Sequence, residues 1–395
     1  MPRKRAKNEM DRKRDKEHSK EKRRKIRQQQ SIAFCHDEQK LRQHLQTHQF
    51  PHLNNAQHVK DKDVPMSVDP ENLPRTSTGY LGLGRDLPER REYALSDLVD
   101  DGAHNFTLVR HTPEVTKYIP SAESKGVMVV ISPGPENDPS WNENTRKAAA
   151  SIEELASHCL FTGDRRRGSF DSLFYGISMG NGQPRPMVLN DQGAANLRVL
   201  ERLRTMECFQ RIAGFISVTF LSWAPNLFLY YIRITAALLN RHPDLFLPFA
   251  NCIFAAFAVN FGPQTVCLPH RDTKNLAFGW CAVTALGDFD WTKGGHLMLW
   301  ELKMVLEFPP GATIFIPSAV VCHFNTRIQP QEKRFSFTLY SAGGLFRWVE
   351  HGFQLEKVYQ QTLEAVRDAR DNAQKWATGL SLFSSIDALQ TRSFL

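Results

Sequence analysis

The stretch CLPHRDTKNLAFGW (267–280) holds His270 and Asp272, whose types and spacing suit metal ligation, inside a His-Arg-Asp that also opens protein-kinase catalytic loops. The kinase reading fails on spacing. A kinase loop places its magnesium-binding Asn five residues after the Asp, where this chain has Ala277; Asn275 comes two residues too early. Asp288-Phe289-Asp290 lacks the Gly of the kinase metal motif, and no Gly-rich strand with a Val-Ala-Ile-Lys partner precedes it. In a strand, residues i and i+2 share a face, so His270 and Asp272 can meet one ion while Arg271 points away. His323, in PSAVVCHFNT, offers a third ligand from a late strand. Two imidazoles and one carboxylate leave three positions of an octahedral ion open, the donor set of non-haem Fe(II) oxygenases.

Eleven residues beyond His323, Arg334 alternates with Ser336 and Thr338 along EKRFSFTLY, which reads as a strand. An inward guanidinium needs an anion, because a buried unpaired one is costly. A carboxylate fits the guanidinium fork with two parallel bonds. The distal carboxylate of 2-oxoglutarate suits that place when a metal triad lies upstream; the alternative is a salt bridge to Glu301 or Glu307.

These residues need a scaffold, and 395 residues at 41% hydrophobic can supply one large domain with appendages. The net charge of +8 belongs to one end. Residues 1–30 carry fourteen Lys and Arg against five Asp and Glu, which is +9 and leaves −1 for the remainder. This tail is expected to be disordered or transiently helical, with KEKRRKIR as a nuclear-import patch that can also touch phosphates, or else a solubilising segment. His36, His44, His48, His52 and His58 follow with Cys35 as the only thiol nearby, so a polar helix around QKLRQHLQTHQ is expected there, not a zinc finger. The seven Cys include no C-x-x-C pair, which disfavours a disulfide framework and structural zinc and fits a reducing compartment.

Folded sequence is expected from near Arg91, where REYALSDLVDD gives way to NFTLVRH and GVMVVISPGP. Helical patterns cover Thr145–Leu160, Asp191–Ile212 and Pro225–Asn240. The apolar run Phe215–Leu239 approaches membrane-span length, but Ser222, Pro225, Asn226 and Arg233 interrupt it, so a buried helical pair joined at Trp223-Ala224-Pro225 is expected and no membrane segment. The N-terminus has no apolar signal-peptide core. From about Asn251 to Trp348 the chain is Val, Ile, Phe and Thr runs cut by Gly-Pro, Gly-Asp, Gly-Gly and Pro-Pro-Gly turns, the rhythm of an antiparallel sandwich or small barrel within an α+β fold. An amphipathic helix, Leu355–Thr378, should pack outside it. GISMG (176–180) matches a hydrolase nucleophile elbow, yet it runs into NGQPRP, which cannot start the required helix smoothly.

HRDTKN, GGHLMLW (294–300), PPGATIFIPSAVVCHFN and RFSFTLYSAGGLFRW together resemble the TET/JBP family of nucleic-acid-oxidising dioxygenases, most closely its basidiomycete-fungal branch. The similarity runs from GISMGNGQP to Gly352-Phe353, about half the chain. The resemblance implies a double-stranded β-helix (jelly-roll, cupin-like) core flanked by helices, with residues 1–75 as the tail, 76–250 as a helix-rich part, 251–353 as the dioxygenase core and 354–395 as a C-terminal helix. It implies Fe(II) on His270, Asp272 and His323, and 2-oxoglutarate on Arg334 assisted by His296. Asn275 and Tyr340 match base-contacting positions, and Met179, Asn181, Gln183 and Arg185 match a loop inserted beside DNA; a structural Gly turn is the alternative for that loop. Two departures stand out. The Cys-rich zinc region of animal relatives cannot be built here, and a base-contacting His two residues beyond the Tyr is replaced by Ala342.

The activity so implied is oxidation of methylated bases in double-stranded DNA, 5-methylcytosine first, with dioxygen as co-substrate and a nuclear location. A base must flip to reach such a site, and Phe278, Trp280 and Tyr340 are candidate stackers, or core. N6-methyladenine, RNA or a protein side chain are alternative substrates. A catalytically silent, transposon-associated DNA-binding protein and a cupin-like metal protein without 2-oxoglutarate are the alternatives of other classes.

Overall fold

Small and large residues alternate along the central strand that spans Lys333–Tyr340 and shape the fold around it. The computed structural model describes residues 56–391, apart from 62–63, 66, 100–103, 162–164, 166 and 181, together with positions 38, 39 and 43. The basic tail, His36, His44, His48, His52 and Asn181 lie outside the described residues, as does most of QKLRQHLQTHQ. In chain order the strands are β1 Gln57–His58, β2 Lys60–Asp61, β3 Val64–Pro65, β4 Thr107–Val109, β5 Lys117–Pro120, β6 Val127–Ser132, β7 Asp171–Ser178, β8 Met187–Val188, β9 Ala256–Phe261, β10 Cys281–Asp288, β11 Leu297–Leu299, β12 Met304–Leu306, β13 Thr313–Ile316, β14 His323–Asn325 and β15 Lys333–Tyr340. The helices are α1 Ser96–Val99, α2 Trp141–Ala156, α3 Ala194–Thr205, α4 Glu207–Trp223, α5 Pro225–Arg241, α6 Gly343–Glu350, α7 Glu356–Tyr359, α8 Leu363–Ser381 and α9 Ile386–Thr391.

The fold is mixed α+β. A large sheet runs β1-β5-β6-β13-β10-β15-β9-β7-β8 and a smaller one β14-β11-β12-β4. From β9 onward the chain moves between the two: β9 and β10 join the large sheet, β11 and β12 the small, β13 the large, β14 the small and β15 the large.

Around β15, residue size separates the two faces of the large sheet. On one, Phe337 of β15 meets Phe209 of α4 and Phe249, so this face lies against the helices. On the other, Ser336 faces Ala285 and Asn260, Thr338 faces Val283 and Ala258, and Arg334 faces Gly287. Period-two alternation lets one strand serve both demands, bulk for helix packing and room for a site. The helical pair forms as the sequence implies. Pro225 opens α5, where its missing N–H costs nothing, and Ala224, at φ −142 and ψ 63, ends α4. Phe220 of α4 then packs on Phe228, Tyr231 and Trp280. No helix among the described residues is long and apolar enough to cross a membrane.

Several expectations are corrected. Folded sequence does not start near Arg91: β1 pairs with β5, and Val59, Val68, Leu73 and Tyr80 are buried. Asp191–Ile212 is two helices, α3 and α4, because Met206 takes an extended conformation at φ −71 and ψ 137. The helix expected over Thr145–Leu160 is α2, starting at Trp141 after the Asp138-Pro139-Ser140 turn. The expected helix Leu355–Thr378 is broken into α7 and α8, with Thr362 capping the second through the amide of Ala365. Ser178 ends β7 and no helix follows it, which leaves GISMG without the architecture of an elbow. The described cysteines are free thiols.

Candidate metal centre

The H-x-D segment is not a continuous strand. Pro269 has no N–H to give to a ladder, so pairing with β14 reduces to one bridge, in which His270 N donates to His323 O at 3.3 Å and His323 N to His270 O at 3.0 Å. Asn325 reinforces it, its Oδ1 accepting from Cys267 N at 2.8 Å. This direct opposition sets the two rings 4.4 Å apart between centroids. Asp272 comes round to the same side, held by its N–H on Ser318 O at 2.9 Å, while Arg271 leaves on the other side toward Val320 O and Glu301.

His270, Asp272 and His323 thus present three donor atoms within 4.8 Å of one another. His270 Nε2 lies 3.9 Å and His323 Nε2 3.7 Å from the two oxygens of Asp272. An ion with bonds of about 2.1 Å spans such gaps. Each Nδ1 contacts a main-chain carbonyl, His270 that of Leu268 at 2.8 Å and His323 that of Val321 at 3.0 Å. A carbonyl only accepts, so each Nδ1 carries the proton and each Nε2 offers a lone pair to the centre. Burial, with His323 and Arg167 nearby, pushes His270 down to about 3. Burial alone would raise Asp272, but the charge of Arg167, the strongest opposing influence, holds it down to about 2. Neutral imidazoles and an ionised carboxylate are the forms that bind a metal.

Arg167 was not singled out in the sequence. Its Nη2 donates to Asp272 Oδ1 at 2.6 Å, and Leu268 N donates to Arg167 O at 2.7 Å, tying its segment to the H-x-D loop. Three consecutive Arg (165–167) read as a charge run; the following Gly168, where a Cβ would meet Val266 O at 2.0 Å, is the mark of close approach that could have pointed there.

Arg334 is 2% exposed and has no carboxylate partner among the described residues. Its Nη1 reaches Thr265 O and Oγ1 at 3.2 and 3.1 Å, and its Nε has no partner among the described residues. Burial pulls its pKa down to about 10. The alternative partners are otherwise engaged: Glu301 binds Arg271 and Cys322 N, and Glu307 binds Arg110 and His111 N. His296 is also buried, its Nδ1 3.0 Å from Thr326 Oγ1 and its Nε2 without a partner. Two buried nitrogens without partners among the described residues, the guanidinium one a fixed donor, are what a missing dicarboxylate would leave, so these residues fit 2-oxoglutarate.

The remaining candidates divide. Asn275 is buried, and its Nδ2 donates to Ser318 Oγ at 3.0 Å beside Asp272. Tyr340 is half-buried within electrostatic reach of Arg167, Asp272 and Cys281, and its pKa is raised by burial. Phe278 and Trp280 are core residues and not stackers: Trp280 Nε1 donates to Met128 O at 2.7 Å, and Phe278 packs on Tyr230. Met179 packs against the core near Gly344, Gln183 closes a turn on Gly180 O, and Arg185 is spent on Asp244 at 3.0 Å at the surface.

No family model matches the chain, and no curated protein matches it. Among solved structures it is similar to NgTET1 in complex with 5mC DNA, with 16% identity, a TM-score of 0.38, and coverage of 61% of this chain and 83% of that chain. An oxidoreductase of the 2OG-Fe(II) oxygenase family from Burkholderia pseudomallei gives 15%, 0.27, 49% and 77%, in the same order. A viral collagen prolyl hydroxylase from Paramecium Bursaria Chlorella virus-1, in complex with 2OG, gives 13%, 0.23, 49% and 90%. Likeness at this level carries no argument about what this chain binds or does.

Proposed function

We propose that this chain is an Fe(II)- and 2-oxoglutarate-dependent dioxygenase that oxidises methylated bases in duplex DNA, with 5-methylcytosine the foremost substrate. The observation that carries the proposal is the pairing of a His270, Asp272, His323 donor set with a buried, anion-less Arg334. The alternation of strands between the two sheets supports reading the core as a double-stranded β-helix.

Iron and 2-oxoglutarate would supply the oxidising power, dioxygen being shared between succinate and the new hydroxyl. The chain's own residues do the rest. Leu268 O and Val321 O each accept from an Nδ1–H, which in the neutral rings turns the Nε2 lone pairs of His270 and His323 toward the centre. Arg167 keeps Asp272 ionised from a half-exposed position at the centre's edge. Arg334 grips a carboxylate through its fork, and the buried His296 Nε2, without a partner among the described residues, serves as a second polar contact. The flipped base, extruded at a cost of a few kcal/mol, would meet the amide of Asn275 and the ring of Tyr340.

One observation favours N6-methyladenine as a second reading. Ala342, where the resembled family carries a base-contacting His, is buried and bridged to Asn275, so no imidazole reads the base there. Nucleoside mass spectrometry separates the two after duplexes carrying each base are incubated with protein, Fe(II) and 2-oxoglutarate. 5-Hydroxymethylcytosine is expected; loss of methyl from adenine alone would select the second reading, and no change in either would overturn both.

A further inference from the structure

We infer that Arg271 and Glu301 form a positioning pair that holds the two halves of the metal centre in register; this rests on the metal reading above. Arg271 sits between His270 and Asp272 in sequence, yet its side chain turns away from the centre and is 2% exposed. There it binds four groups. Its Nε donates to Val320 O at 3.1 Å, its Nη1 to Arg85 O and, at 3.5 Å, to Leu83 O, and its Nη2 to Glu301 Oε1. The other carboxylate oxygen of Glu301 accepts from Cys322 N at 2.7 Å. Cys322 precedes His323. The pair therefore links the main chain that carries His270 and Asp272 to the main chain that carries His323, through contacts on both Val320 and Cys322.

The 83–85 segment is drawn into the same clamp. Gly82 allows it, since a Cβ there would meet Ala319 O at 1.8 Å, and Gly82 N donates to Thr273 O at 2.9 Å. A buried ion pair is weak evidence for stability, because apolar residues of similar size often serve as well. A pair whose every bond ends on a ligand-bearing segment or on the loop beside it is explained by geometry. Groups of this kind, one step removed from the ligands, typically set metal affinity by about 10–100-fold.

The test uses the full chain and Co(II) as the probe, followed by its visible absorption, with thermal midpoints measured on the metal-free protein. Arg271→Met should weaken Co(II) binding by about 10–100-fold and lower the midpoint, since it leaves the half-buried Glu301 carboxylate without its partner. Arg271→Met/Glu301→Gln removes that stranded charge while keeping an acceptor for Cys322 N. It should regain most of the lost midpoint and still bind Co(II) weakly. Recovery of midpoint and affinity together would overturn the inference, reducing the pair to a stability element, as would unchanged Co(II) affinity in Arg271→Met. A wild-type protein that binds no Co(II), or binds it equally after Asp272→Ala, would overturn the metal reading itself and this inference with it.

Discussion

Arg167 and Asp272, 105 residues apart in sequence, are joined by a 2.6 Å hydrogen bond from Nη2 to Oδ1. The bond gives the centre a charge balance that its ligands alone lack. Burial opposes ionisation of Asp272, and Arg167 is the strongest influence favouring it. Replacing Arg167 by Met should therefore move the acid limit of Co(II) binding to higher pH and weaken binding at neutrality. An unchanged pH profile in a Co(II) titration would show that Arg167 is incidental.

Stability of the metal-free protein should depend on pH through His270. Its folded pKa, about 3, lies below the unfolded value near 6.5, so between those values the unfolded chain binds the extra proton. Stability is then lost as pH falls through that window, with a slope of up to about 1.4 kcal/mol per pH unit. Asp272, also depressed, adds stability above its unfolded value near 3.9 that is lost as pH falls toward about 2. Urea unfolding with a chelator present should show the slope, and His270→Gln should flatten it above pH ~4. An equal slope in that variant would contradict the assignment.

Arg334→Lys keeps the charge and loses the planar fork. Loss of a charged hydrogen bond of about 1.5–3 kcal/mol should weaken 2-oxoglutarate binding by roughly 10–100-fold while DNA affinity holds. Titration calorimetry for one ligand and fluorescence anisotropy for the other make the comparison. Parallel losses would indicate misfolding.

The grouping of His270, Asp272 and His323 was legible because ligation demands particular side chains at short spacing, and His270 and Asp272 satisfy it within three residues. Arg334 was legible from the strand period, which turned it inward. Arg167 was not, because its partner lies 105 residues away and the only local trace is the close approach at the neighbouring Gly168. Nor were β1 and the buried residues Val59, Val68, Leu73 and Tyr80, since two-residue strands carry no period to read. Phe278 and Trp280, left open in the sequence between stacking and core, are core; an aromatic next to a site motif looks the same whether it stacks on a ligand or fills the interior. The break in the expected helix Asp191–Ile212 follows from the backbone at Met206, which nothing in its residue type demands.

Asn275 serves two masters in this geometry, a flipped base by proposal and Ser318 by observation. Asn275→Ala should leave uncoupled conversion of 2-oxoglutarate to succinate intact and reduce DNA oxidation by the equivalent of about 1–3 kcal/mol. Ser318→Ala provides the control. If it reproduces the loss on DNA, Asn275 acts by bracing the turn at Asp272 and not by touching the base.

The central claim, that one centre couples 2-oxoglutarate to a methylated base, is tested most directly by counting both products in the same reaction. Succinate and 5-hydroxymethylcytosine are quantified by mass spectrometry from wild-type protein and from Asp272→Ala, with Fe(II) and a methylated duplex. The account predicts succinate and oxidised base rising together in the wild type and neither in the variant. Oxidised base without succinate, or equal yields from Asp272→Ala, would contradict it.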